Sequence, residues 1–544
     1  MKHITKIASA LAISLTFASC ANQLENPRKG ANDFNTFYAN ASAEDAEKLI
    51  AEAYRQYFNG PEEVQKQNFF EIISDDAGCG GGSYADNANR YRNADELTCQ
   101  ASDWLFHGPG RGYSLYQSLY MVIYHCNLIL DKIPETSDAR INRVKAEAKF
   151  LRAVNLFEAM RIWHNPPFAD HIYTAEDMLA PNGDPKEMID WILSNLDEAS
   201  KELPAIDTKG AQAKIGGRAS AAAAQAFYGK AALWYGTQYN DKSYVEKAIA
   251  PLKSIMTSNK YGLISDPRDL FHQSADWCEE YIFERCCAET SSDKTLQNDN
   301  RQTWRSLRAD NIWVPKEIRD YGWGFCNPSQ EFIDFMKEHD GADSPRFQSK
   351  LISYEQLLDM TYPNETEKGM KAGKTYPNVY GYWNATCLMW EEDLYTDTGV
   401  NFYSRANNPI IRYAEVLLMY AEAQFIANGD TDKSGLAALN QVRERAGLKD
   451  IATLDMQAII DERRAELFSE CERWFDIIRW RIADKVLANA GKERTEFGGL
   501  NPDGTYNLIV TPGEGKGWDD KYWELPFGDN QLQANPNLVQ HKGW

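Results

Sequence analysis

The chain has 544 residues and a formal net charge of −21, room for two or three compact units or one large elongated one. The charge excludes phosphate-backbone binding, which needs clustered Lys and Arg to release counterions, so no nucleic-acid partner is expected. No apolar run reaches the roughly 18 residues that a helix needs to span a bilayer.

The chain opens with "MKHITKIASALAISLTFASC", in which Lys2 and Lys6 precede an apolar stretch and small residues stand before Cys20. That order predicts a signal peptide over residues 1–19. Ala18, Ser19 and Cys20 resemble a bacterial lipobox, which implies cleavage before Cys20 and acylation of its sulfur, with lipid supplying the anchor. Residues 20–40 are polar and turn-rich and read as a tether. The ten cysteines show no CxxC spacing, so neither a zinc site nor a disulfide framework is indicated.

Residues 41–289 read as a helical scaffold. Amphipathic runs are expected from Ser42 to Phe58, Tyr113 to Ile133 and Ala139 to Trp163. Asp184, Pro185 and Glu187 mark a helix start, and Ser243 with Glu246 reads as a further capping box. The alanine-rich run Ala219 to Tyr239, with the helix after it, forms a closely packed pair of the kind stacked in tetratricopeptide-like proteins. Within this part, "SDDAGCGGGSYADNANRYRN" (Ser74 to Asn93) lacks the lysine and helix of a phosphate-binding loop. Its Tyr84, Asp86, Asn87 and Tyr91 are candidate ligand contacts. Asp75, Asp76 and Asp86 lack EF-hand spacing, so no metal site is assigned.

Residues 290–406 change character to short apolar bursts broken by Asn, Gly, Pro and Asp, with Pro328 to Glu338 the one clearly helical run. Long irregular segments on a helical scaffold are where binding surfaces usually sit. Aromatics make up 12% of the chain, and position decides their meaning. Trp191, Trp234, Trp474 and Trp480 lie on helical patterns and read as core. In "RQTWRSLRADNIWVPKEIRDYGWGF", Trp304, Trp313, Tyr321 and Trp323 sit among Arg, Asp, Asn and Gly. Flat amphipathic rings suit the C–H face of a pyranose, with polar groups fixing its hydroxyls.

Residues 407–490 return to helical repeats, Ile410 to Ala427 pairing with Lys433 to Ala446. "ERRAELFSECERWFDIIRW" (Glu462 to Trp480) reads as one amphipathic helix. Ile460, Leu467, Phe468, Cys471, Trp474, Phe475 and Ile478 form its apolar stripe, with Glu462, Glu466, Glu470 and Arg473 on a separate polar one. Exposed charge pairs account for that polar stripe, and the helix reads as a strut. Residues 491–544 read as irregular. The fold class is mainly α: helix pairs carrying a large loop-rich insertion.

Several stretches together resemble the SusD/RagB family of Bacteroidetes outer-membrane lipoproteins. They are "VKAEAKFLRAVNLFEAMRIW" (Val144 to Trp163), "YQSLYMVIYHCNLIL" (Tyr116 to Leu130), "NNPIIRYAEVLLMYAEAQ" (Asn407 to Gln424), the charged stretch above and the ending "ELPFGDNQLQANPNLVQHKGW" (Glu524 to Trp544). The resemblance implies a SusD-like tetratricopeptide scaffold and capture of glycan, or of peptide, at the cell surface without turnover. It implies delivery to a SusC-like TonB-dependent transporter, with no cofactor. Family members bind sugars with aromatics from the middle region, and the loop around Tyr84 corresponds by order to one near the ligand. No HExxH, GxSxG or Walker motif is present. A glycosidase's paired carboxylates carry no sequence signature, so a hydrolase stays an alternative, as does a scaffold that binds another protein.

Overall fold

The computed structural model describes residues 34–59, 63–86, 88–103, 106, 114–175, 177–210, 214–287, 301–395 and 404–544. The signal peptide, Cys20 and Asn87 lie outside the described residues. Helices α1 (Ala43–Asn59), α2 (Leu115–Lys132), α3 (Ala139–Trp163), α4 (Pro185–Glu202), α5 (Ala221–Gln238) and α6 (Lys242–Thr257) make up the first half. From α2 onward each packs against its successor. The stack continues when α6 meets α7 (Tyr413–Asn428), which pairs in turn with α8 (Ser434–Arg445). This succession of helix pairs is the tetratricopeptide-like architecture.

Close approach between α5 and α6 depends on a missing side chain: a Cβ on Gly229 would sit 2.5 Å from a methyl of Leu252. Around that contact Phe150, Phe227, Trp234 and Leu417 are buried in one apolar core. Cap chemistry fixes the helix starts. The Ser114 hydroxyl accepts the Gln117 N–H while the Gln117 side chain accepts the Ser114 N–H, and Asp184 accepts the Glu187 N–H at 2.9 Å. At α6 the cap is Asp241, which accepts the Ser243 N–H at 3.0 Å. The Ser243 box expected from the sequence is therefore displaced by a charged acceptor two residues earlier.

Strands are short: β1 (Ala77–Gly80), β2 (Tyr281–Arg285), β3 (Phe325–Pro328), β4 (Asn408–Arg412), β5 (Glu493–Leu500) and β6 (Tyr506–Pro512). β1 pairs antiparallel with β3, Gly80 facing Phe325, and β2 with β4, Tyr281 facing Arg412. The helix expected from Ile410 thus begins at Tyr413, because Pro409, Ile410 and Ile411 belong to a strand, where β-branched residues fit the pleat. β5 and β6 form a hairpin in the tail expected to be irregular. Residues 34–39, expected in the tether, are helical, and Tyr38 is buried. The middle region carries more helix than expected, with short turns at Arg301–Arg305, Pro345–Lys350 and Tyr354–Asp359 beside Gln330–His339.

The charged stretch departs furthest from its expectation. Two helices replace one, α9 (Met456–Glu466) and α10 (Arg473–Arg479), and Ser469 and Cys471 between them have positive φ. Glu462 and Glu466 face inward and are almost completely buried. Arg412 donates to Glu280 at 2.7 Å, to Glu466 at 2.6 Å and to Glu470 at 2.7 Å. Arg346 bridges Asp340, Glu462 and Glu466, and Arg445 reaches Glu280 and Glu466. Burial alone would raise the Glu466 carboxyl, but Arg445, Arg412 and Arg346 hold it far below the usual carboxylate range. The stripe is a buried ionic hub joining α8, α9 and β4 to the middle region.

Candidate functional site

The loop after β1 and the residues leading into β3 meet at the edge of the β1–β3 pair, where the Gly81 N–H donates to the Gly324 carbonyl at 2.8 Å. Between them opens a cleft of about 570 Å³ lined by Asp86, Arg308, Asp310, Asp320, Tyr321 and Trp323. That volume falls in the range of about 300–1,000 Å³ usual for small-molecule sites. A concavity at the Glu470–Glu472 turn has only about 90 Å³.

Two rings reach solvent on the rim, Tyr321 at 48% and Trp323 at 36% exposure. Gly322 between them lies against the chain's own backbone, since a Cβ there would come within 2.4 Å of the Leu307 oxygen and the Ser306 carbonyl carbon. Only glycine permits that approach, and it lets both neighbouring side chains point away from the body. The Trp323 N–H donates to the Thr303 carbonyl at 2.7 Å. Behind Trp323 stands Trp304, its ring centroid 4.4 Å away and edge-on, and behind Trp304 stand Tyr91 at 5.7 Å and Phe325 at 5.5 Å. A column of rings therefore runs from the core to the rim.

The polar wall is held as firmly. Arg308 N–H donates to the Tyr376 hydroxyl at 2.8 Å, and its guanidinium lies 3.1 Å from Asp86 and 3.2 Å from Asp310. Asp86 also accepts the Gly82 N–H at 2.8 Å, and the Asn311 side chain donates to the Gly82 carbonyl. The carboxylates offer acceptors only and the guanidinium donors only, so the wall can bond sugar hydroxyls in both senses.

Of the residues expected from the sequence to touch ligand, the structure brings Asp86, Tyr321 and Trp323 together at this cleft. Trp304 does not line it: the ring is buried and packs in the core, as a support for Trp323. Tyr91 is wholly buried, and its hydroxyl accepts from Asn68, so it cannot meet ligand. Trp313 lies elsewhere, with Lys371 4.2 Å over its ring. Tyr84 is turned toward the hairpin, donating to the Thr495 carbonyl at 2.9 Å under the Arg494 guanidinium. Sequence reasoning misses Arg308, Asp310, Asp320 and Gly322, although the run "RDYGW" displays two rings flanking a glycine beside charge.

Asp75 and Asp76 are committed to Arg473 and Arg464 at 2.7 Å. Among the described residues one mixed cluster, His272, Glu392 and Asp393, has the composition of a metal site. His272 Nδ1 lies 2.8 Å from Asp393, whose other oxygen accepts the Gln273 N–H, which accounts for the arrangement as an imidazole–carboxylate pair.

Two family models divide the chain. One described as "SusD family" matches residues 279–544, and one described as "Starch-binding associating with outer membrane" matches residues 38–233. The chain belongs to the SusD/RagB family. SusD-like protein P25 of Formosa agariphila is 24% identical over 446 residues, covering 78% of this chain and 77% of that protein. A laminarin-binding SusD-like protein superposes with a TM-score of 0.72 at 23% identity, over 92% of this chain and 99% of that one. Surface glycan-binding protein A from Bacteroides thetaiotaomicron, solved with laminarihexaose, gives 0.69 at 20% identity over 92% and 99% of the two chains. These likenesses establish a SusD-like helical fold.

Proposed function

We propose that this SusD-family protein captures glycan at the cell surface, without turnover, in the cleft between Asp86 and Trp323, and passes it to a SusC-like TonB-dependent transporter. The observation that carries the reading is the pair of rim rings, Tyr321 and Trp323, fixed by Gly322 and backed by Trp304 beside a wall of acceptors and donors. Exposed aromatics are costly in solvent and suit a ligand that covers them with C–H faces. The relatives named for laminarin and laminarihexaose support a glycan in preference to a peptide. The lipobox-like Cys20 supports a lipid anchor in the outer membrane, in agreement with the family description.

Calorimetric titration of the soluble chain with polysaccharides and peptides tests the ligand class: saturable glycan binding with no change in glycan length over hours is expected, and shortening of the glycan would replace capture by hydrolysis. For the anchor, Cys20→Ala should move the protein from the membrane to the soluble fraction. Retention of that variant after a high-salt wash, in cells lacking the transporter, would exclude acylation as the anchor.

A further inference from the structure

The cleft's charge bears on which glycans it admits. Its lining sets three carboxylates, Asp86, Asp310 and Asp320, against a single guanidinium, that of Arg308. That guanidinium is already committed, 3.1 Å from Asp86 and 3.2 Å from Asp310, with a further contact to the Trp323 carbonyl at 3.4 Å. No lysine or second arginine lines the cleft among the described residues. From this geometry, and resting on the glycan reading above, we infer that the site selects uncharged glycans with free ring hydroxyls and rejects sulfated or uronate-bearing ones.

Two independent effects point the same way. An ionised carboxylate is an acceptor with no proton to give, so it needs O–H donors from the ligand. A sugar hydroxyl supplies one. A sulfate ester removes that donor and puts acceptor oxygens in its place, so the hydrogen bond is lost. The second effect is Coulombic: three lining carboxylates face one lining guanidinium, and Arg319, which also acts on Asp320, is itself paired with Glu391. A sulfate about 6 Å from one carboxylate in excess, at an effective dielectric constant between 20 and that of water, therefore loses on the order of tenfold in affinity. The chain's net charge of −21 adds a long-range repulsion of the same sign. Specificity of this kind comes from a built-in repulsive element as much as from the attractive rings.

The test pairs laminarin, galactomannan and arabinoxylan with their chemically sulfated derivatives, titrated into the soluble protein at low and high sodium chloride. At least one neutral polysaccharide should bind, with its sulfated form at least tenfold weaker at low salt and the gap narrowing at high salt as charges are screened. Asp310 and Asp320 are exposed, so the double variant Asp310→Asn, Asp320→Asn should fold and should narrow the neutral-to-sulfated ratio at least threefold. Equal or tighter binding of the sulfated form, or a ratio unmoved by the double variant, overturns the charge selection while leaving glycan binding intact. Binding of none of the six polysaccharides removes the glycan reading and this inference with it.

Discussion

Single atoms decide whether the rim of the cleft exists. A methyl at Gly322 would come within 2.4 Å of backbone atoms of Ser306 and Leu307, too close for any neighbour to absorb without moving the loop segment that carries both rings. Gly322→Ala should therefore weaken glycan binding about tenfold and shift the Trp323 fluorescence, because Tyr321 and Trp323 change place together; unchanged calorimetric affinity would show that the rings are not the platform. Trp323→Ala should cost on the order of 2 kcal/mol of binding, about thirtyfold, with little loss of melting temperature, since the ring is partly exposed. Trp313→Ala should leave binding intact, as its ring faces Lys371 outside the cleft. Equal loss from both variants would relocate the site. From the sequence, the aromatic-rich segment was legible as special, but its four rings looked alike. Trp304 turned out buried and Trp323 exposed because the short helix Arg301–Arg305 turns one ring inward, and that distinction depends on packing against Tyr91 and Phe325, distant in sequence.

Elements show the same division between what local pattern carries and what it cannot. The 3.6-residue period put Glu462 and Glu466 on one stripe, and they do share a helical face, α9. Their burial was not legible, because the arginines that neutralise them, Arg346, Arg412 and Arg445, come from three other elements. The continuous helix also failed at the turn where Ser469 and Cys471 take positive φ, a conformation that neither residue type signals. In the tail, the turn "NPDGT" between β5 and β6 was a readable hairpin cue, masked by the two glycines of β5. The buried hub sharpens the expectation for Glu466→Ala. Removing that carboxylate leaves Arg346, Arg412 and Arg445 short of a partner inside the fold, and breaking a buried pair on one side costs about 3–5 kcal/mol. Denaturant melts should show that loss, with glycan affinity of the folded fraction retained. A normal melt combined with lost binding would overturn the structural role.

Across the whole molecule, buried carboxyl groups fall into two sets that move stability in opposite senses over two pH windows. Asp340 is held down to about 2 by Arg346 despite its burial, and Glu466 lower still. Such groups stabilise the fold above their unfolded pKa of about 4, and that contribution is lost as pH falls through their folded values. Burial pushes the second set up: Glu71, Asp95 and Asp276 to about 7, and Glu284 to about 8. Between pH 4 and these values the folded chain keeps protons that the unfolded chain has released, so stability falls as pH rises. The melting temperature should thus peak at mildly acidic pH and decline toward pH 8. Surface self-repulsion at a net charge of −21 bends the curve the same way, but salt screens surface charge and not a buried carboxyl. Glu284 separates the two causes. It is almost completely buried, accepts from Asn407 at 2.9 Å, and its other oxygen has no hydrogen-bond partner. Glu284→Gln keeps the shape and removes the ionisation, so it should match the natural chain at pH 4. At pH 8 it should be the more stable by a few kcal/mol, since each tenfold displacement of the ionisation equilibrium on folding is worth about 1.4 kcal/mol. The difference should persist in 0.5 M salt. A melting temperature that climbs steadily from pH 4 to pH 8 would remove the raised carboxyls as determinants of stability, and a Glu284→Gln gain abolished by salt would mean that surface charge sets the pH response.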